Sequence, residues 1–260
     1  MTQLSAEQIQ ANWNTFLAVI DTYITGDRST LLKDLYLSME EQTILAPAAV
    51  RDSNHNCFAG GYVDHVLRVV KASLQLDNVW KSFNVRETYS QEELVFAAIN
   101  HDLGKLGLPG TPGVFPNDND WQVKNQGAHY KFNTALSFAS VPDRSLFIFQ
   151  SAGITVSENE YLGIKLHDGL YDEANKHYLI SYQPESRLRS SLPIILHQAD
   201  MLAARVEWEG EWLPRLNSGS PIRQTKTVTH KIISKPAASE EAMKRISSAN
   251  PNLMAALKNI

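Results

Sequence analysis

Cysteine is nearly absent from this chain. Cys57 stands alone among 260 residues, so neither an intrachain disulfide nor a cysteine-cluster metal site can form, and any bound metal must be held by His, Asp or Glu. Apolar runs long enough to span a bilayer are missing. The N-terminus, Met1-Thr2-Gln3-Leu4-Ser5-Ala6-Glu7, lacks the basic and apolar regions of a secretory leader, so a cytoplasmic location is expected. Neither sign of charge dominates: 24 Lys and Arg against 28 Asp and Glu leave a formal charge of -4, which gives no global attraction to nucleic acid or anionic lipid. Internal repeats, heptad arrays and low-complexity tracts are also lacking. What remains is 43% hydrophobic and 20% charged residues, the balance of a globular chain with a substantial core.

The apolar spacing predicts an all-α protein. Ser5-Ala6-Glu7-Gln8 is a capping box, after which Ile9, Trp13, Phe16, Leu17, Ile20 and Ile24 recur at helical intervals. A second helix is expected over 30–39, a structured loop over 47–61, and a further helix from Tyr62 carrying Val63, Val66, Leu67, Val70 and Leu74. Ser90-Gln91-Glu92-Glu93 opens another helix, which Gly104 is placed to end. The Gly, Pro, Asn and Asp content of 107–126 reads as a long loop beside the site, in the manner of a lid. Short helices are expected over 143–150 and 158–167, the second opened by a Ser-x-x-Glu box at Ser157; 171–182 is open to irregular or β-like structure, and a long helix is expected over 192–212. Residues 214–236 carry Arg215, Arg223, Lys226, Lys231 and Lys235 without an acidic residue and read as a basic arm, followed by a closing helix over 239–258. The chain thus divides into N-terminal helices (1–46), a core (47–212), and the arm with its helix (213–260).

Chemistry concentrates in Asn100-His101-Asp102-Leu103-Gly104-Lys105, where a neutral nitrogen ligand adjoins an anionic oxygen ligand and a cation follows. This set suits a metal ion facing a phosphate. Adjacent helical residues point about 100° apart, so the pair needs ligands from other elements. His65, on the helix from Tyr62, and Asp200, a carboxylate inside the apolar run 194–203, are in position to supply them.

The order His65, His101-Asp102, Asp200 resembles that of the HD-domain superfamily of metal-dependent phosphohydrolases. His55-Asn56-Cys57-Phe58-Ala59-Gly60-Gly61-Tyr62-Val63-Asp64-His65 is similar to an element of one HD subgroup, in which an early His, an aromatic and a Gly-Gly precede an acidic-His pair. His197-Gln198-Ala199-Asp200 resembles the distal motif, and the likeness spans roughly residues 50 to 210. It implies an HD helical bundle in which His65, His101, Asp102 and Asp200 hold a first divalent ion. Mn, Mg, Fe, Ni, Co and Zn all fit such ligands. Many members add a second ion with the core Asp bridging, and His129 and His167 occupy suitable places in the order. Lys105 is then expected to meet the phosphoryl oxygens, against a plain role as a helix-end lysine favoured by the helix dipole.

Other positions keep two readings open. His55 either orients water or substrate near the metal, a catalytic role beside Lys105 and Asp102, or caps its loop. His197 is equally compatible with support of the site and with local packing; Asp168 and Asp64 are equally compatible with support and with turn or surface roles. Tyr130, Phe132 and Tyr171 suit base stacking or the core.

The leading functional expectation is hydrolysis of a phosphorus-oxygen bond in a small phosphate ester, a nucleotide above all, by metal-activated water. The alternatives are a phosphodiesterase or 3′ to 5′ exonuclease on short single strands, using the basic arm, and a non-catalytic metal- or nucleotide-binding module. The acidity of the chain favours a compact substrate over nucleic acid, and no membrane partner is expected. Oligomeric state stays open.

Overall fold

A computed structural model describes residues 4–214, apart from the side chains of 211 and 212; the expected basic arm and closing helix lie almost wholly outside the described residues. Ten α-helices dominate: α1 (Ala6–Tyr23), α2 (Gly26–Ser38), α3 (Glu40–Ile44), α4 (Gly61–Ser82), α5 (Gln91–Asn100), α6 (Asp120–Gln126), α7 (Val141–Ser151), α8 (Glu158–Leu166), α9 (Lys176–Leu179) and α10 (Leu192–Glu207). Among the described residues, two small antiparallel strand pairs accompany them. One joins β1 (Gly107–Leu108) to β2 (Thr111–Pro112), the other β3 (Val114–Pro116) to β4 (Tyr130–Phe132). The protein is an all-α bundle, and among the described residues no helix is long and apolar enough to cross a membrane.

The capping boxes at Ser5, Ser90 and Ser157 form as expected, with side chain and backbone satisfied reciprocally. α5 is the central helix, with Leu94 through Asn100 all buried. A helix apolar all round must be covered on every side, and α4, α8, α10 and α1 supply that cover. The aromatic faces of α1 and α2 belong to the same core, where Trp13 stacks on Phe16 and Phe16 meets Tyr36 edge-on. Tyr36 donates its hydroxyl to Asn100 Oδ1 at 2.8 Å, which pins the end of α5 next to His101. Trp80 Nε1 donates to Gln198 Oε1 at 3.0 Å and ties α4 to α10.

Three expectations need correction. Gly104 does not end α5: a tight helical turn over Leu103–Leu106 carries the chain past it to Gly107, whose φ of +92° makes the stop. Gly104 is small for another reason, since a Cβ there would lie 2.1 Å from the Val141 carbonyl oxygen where α7 begins. The segment 107–126 is not one long loop. Positive φ at Gly107 and Gly110 permits the β1–β2 hairpin, and Asn119 caps α6 by accepting from the backbone N–H groups of Trp121 and Gln122. α6 buries no residue, so it left no apolar stripe in the sequence. Finally, the helix expected over 192–212 gives way after Glu207 to a π-helical turn over Trp208–Trp212, while of the two readings left open for 171–182 the irregular one holds, as short helical turns and α9.

Candidate metal centre

The Gly-Gly element builds the first wall of the site. Gly60 has φ +85°, and a Cβ on Gly61 would lie 2.2 Å from the Asn56 carbonyl oxygen, so two glycines let the loop fold back tightly onto the start of α4. This turn brings the His55 ring to 4.6 Å, centre to centre, from the ring of His65. His101 and Asp102 follow the last residue of α5, His167 follows α8, and Asp200 lies in the middle of α10. The bundle therefore directs four elements at one point.

Their ligand atoms converge there. His65 Nε2 lies 3.1 Å from Asp200 Oδ1 and 4.0 Å from Asp102 Oδ2; His101 Nε2 lies 3.3 Å from Asp102 Oδ2 and 3.9 Å from Asp200 Oδ1. The other oxygen of Asp102 faces His167 Nε2 at 3.5 Å. His65, His101, Asp102 and His167 are each at most 2% exposed.

Hydrogen bonds select the tautomers. His101 Nδ1 donates to the Ala98 carbonyl and His167 Nδ1 to the Ile164 carbonyl, both at 2.8 Å, while His65 Nδ1 faces the Glu207 carboxylate at 3.2 and 3.3 Å. With Nδ1 so engaged, the neutral form of each imidazole presents its Nε2 lone pair to the shared point. The Nε2 atoms of His65 and His101 and Oδ1 of Asp102 are buried without a properly directed hydrogen bond. Buried polar atoms are rarely left so, and a divalent cation satisfies lone pairs and carboxylates together. The buried His and Asp groups here could hold a metal ion.

The charge balance agrees. Burial disfavours the ionised Asp102 carboxylate, yet the Lys105 ammonium, 2.6 Å away, and neighbouring His101 hold its pKa well below the usual range. Burial likewise opposes ionisation of Asp200, but the His65 imidazole 3.1 Å away and nearby His101 lower its pKa. Burial works against a charged His65, and the Glu207 and Asp200 carboxylates outweigh it, pushing its pKa up to about 10. Burial also pushes the Glu207 carboxyl upward; imidazole being the stronger base, the proton shared by that pair sits on His65. His167 rises to about 9, with Asp102 overcoming burial. His55 falls to about 3 through burial and the positive charge of His65 and Lys105, so it is neutral.

His129 does not join this cluster. Its Nε2 faces Asp52 Oδ2 at 3.3 Å, and the backbone around it pairs with the 50–52 loop and β3 instead. The group beside His167 is formed by Asp168 and Asp200. The structure thus brings His167 together with Asp168 and Asp200 and leaves His129 apart, against Asp52. Glu207 and the contact it makes with His65 were not anticipated.

The cluster floors an open cleft of about 340 Å³, lined among others by His55, Lys105, Tyr171, His197, Arg205 and Trp208. His197 Nδ1 donates to the His167 carbonyl at 2.7 Å, which leaves Nε2 as its acceptor. Gly169 makes room for that ring, since a Cβ there would lie 2.3 Å from it. A cleft of about 380 Å³ between α2 and α7 is lined by Leu31, Leu35, Phe147 and Ile148 with Asp34 as its one carboxylate, and offers no comparable ligand set. Comparison with family models, curated proteins and solved structures found no match.

Proposed function

We propose that this chain is a metal-dependent phosphohydrolase of the HD-domain type, acting on a small phosphate ester of which nucleotides are the leading class. The observation that carries the reading is the convergence of three buried imidazole Nε2 atoms on two carboxylates, beside a lysine, at the floor of an open cleft. His65, His101, Asp102 and Asp200 would hold a first divalent ion, and His167, Asp168 and the second oxygen of Asp102 would serve a second. A divalent cation supplies Lewis acidity toward a phosphoryl oxygen and lowers the pKa of water in its shell.

The residues of the chain supply the rest. Lys105 lines the cleft with its ammonium fixed by Asp102, where burial opposes the cation and the carboxylate overcomes it. It would neutralise charge that grows on the phosphoryl oxygens. Arg205 provides a second cation at the wall, packed over the Trp208 ring at 4.9 Å. Neutral His55, with Nε2 buried and unpaired, would hold a water or substrate hydroxyl in place. Tyr171, 84% exposed at the rim, offers a face for a planar group of the substrate.

A panel of nucleotides, cyclic nucleotides and short single strands, each with Mn, Mg, Ni and Co, tests this function. Phosphorus-oxygen cleavage, read from the hydrolysis products, that requires metal and is lost in Asp102→Ala supports it; equal rates in parent and variant overturn it. Preference for single strands, weakening steeply with salt, would move the reading to a nuclease.

A further inference from the structure

His65 differs from its two partners in how its Nδ1 is held. His101 and His167 follow the ends of α5 and α8, and each donates to the carbonyl three residues earlier, Ala98 or Ile164. Carbonyls of a last helical turn lack helix partners and are free to accept. His65 is the fifth residue of the 22-residue α4, where the preceding carbonyls are committed to the helix. Its acceptor must come from another element, and α10 provides it.

That acceptor is Glu207, which is 0% exposed and sets both carboxylate oxygens within 3.3 Å of His65 Nδ1. Asp200, seven residues earlier on the same helix, faces the opposite nitrogen at 3.1 Å. Seven residues are about two turns, so one face of α10 grips both nitrogens of one imidazole. A buried carboxylate is costly unless compensated. Arg68 Nε lies 3.6 Å from Glu207 but 3.0 Å from Asp64, to which it donates, so its compensation is shared. Two further contacts hold Asp64 in place, from Asn56 and Asn12. The shortest contacts of Glu207 are therefore those to His65.

We propose that Glu207 is a positioning residue of the metal centre: by accepting the Nδ1 proton of His65 it aims Nε2 at the ion and makes that nitrogen a stronger donor. A carboxylate acceptor behind an imidazole commonly changes metal affinity by about 10- to 100-fold. The proposal rests on reading the cluster as a divalent-metal site.

Cobalt(II) titration of the full chain, followed by visible absorption and calorimetry, tests it with Glu207→Gln and Glu207→Leu. Gln keeps an acceptor without the charge, and its Kd is expected to weaken about tenfold; Leu removes the acceptor, and about 100-fold is expected. In zinc-loaded, ¹⁵N-histidine-labelled protein the His65 Nδ1–H resonance should persist in the Gln variant, a rescue that a packing role would not produce. Should the Leu variant fail to fold, the Gln variant decides alone. Parent-like cobalt affinity in the folded variants overturns the role of Glu207 and leaves the metal site standing. A parent that takes up no cobalt overturns the metal site itself, and this role with it.

Discussion

Asp102 turns one oxygen to His101, His65 and Lys105 and the other to His167, so it sits where two ligand sets meet. Asp102→Ala should therefore abolish metal uptake and activity together, read by elemental analysis and phosphate release. Lys105→Ala should separate the two: bound metal is retained while kcat falls by about 10²- to 10³-fold, the scale for losing one preorganised charge-stabilising group. His129→Ala should leave metal content at the parent level, because its partner is Asp52; loss of a metal equivalent would return His129 to the centre. The four residues that meet in the cluster, His65, His101, Asp102 and Asp200, were legible from residue type together with the resemblance of their order to the HD pattern. Glu207 was not, because Glu207 and Glu209 flank Trp208 alike, and only the fold shows which one is buried. Asp168 was legible only as a supporting or turn residue; its place beside His167 and Asp200 comes from the turn that follows α8, where Gly169 adopts φ +56°.

Among the elements, the Gly60-Gly61 turn and the start of α5 lend themselves most readily to test. Gly61→Ala places a methyl 2.2 Å from a backbone oxygen, which must force the loop carrying His55 away from α4. We expect a loss of at least about 2 kcal/mol in urea unfolding, the range for strained backbone and overpacking. At the start of α5, burial alone would raise the Glu92 and Glu93 carboxyls. Bonds from Thr25 and Arg28 to Glu92, and from Ser90, Ser157 and Asn159 to Glu93, lower both below 4.5. A carboxyl with a lowered folded-state pKa binds its proton more readily in the unfolded chain. Its stabilisation is thus present above 4.5 and is lost as pH falls through the lower folded value. Glu93→Gln should be less stable than the parent near neutrality and should show a shallower decline in urea midpoint as pH drops. Such capping boxes were readable in advance because four consecutive residues make the whole motif. α6 and the β1–β2 hairpin were not, since one is wholly exposed and the other rests on glycine geometry that composition alone reads as loop.

For the molecule as a whole, the helical class followed from apolar spacing, and the site from ligand order, yet neither gives the angles at which helices meet. The packing of α5 against α1, α4, α8 and α10 turns an ordered list of ligands into one cluster at a cleft floor. The α1 and α2 aromatics share the same core as that cluster's helices, so damage at Trp13 or Phe16 should act on the site through stability rather than contact. Trp13→Ala is expected to cost about 3–5 kcal/mol, with metal affinity of the folded fraction unchanged, as measured by unfolding and by titration below the transition. Anomalous diffraction from crystals grown with manganese tests the proposed metal centre itself. A peak is expected within bonding distance of Nε2 of His65 and His101 and of the carboxylates of Asp102 and Asp200. A map with no peak among those four residues, at saturating manganese, would contradict it.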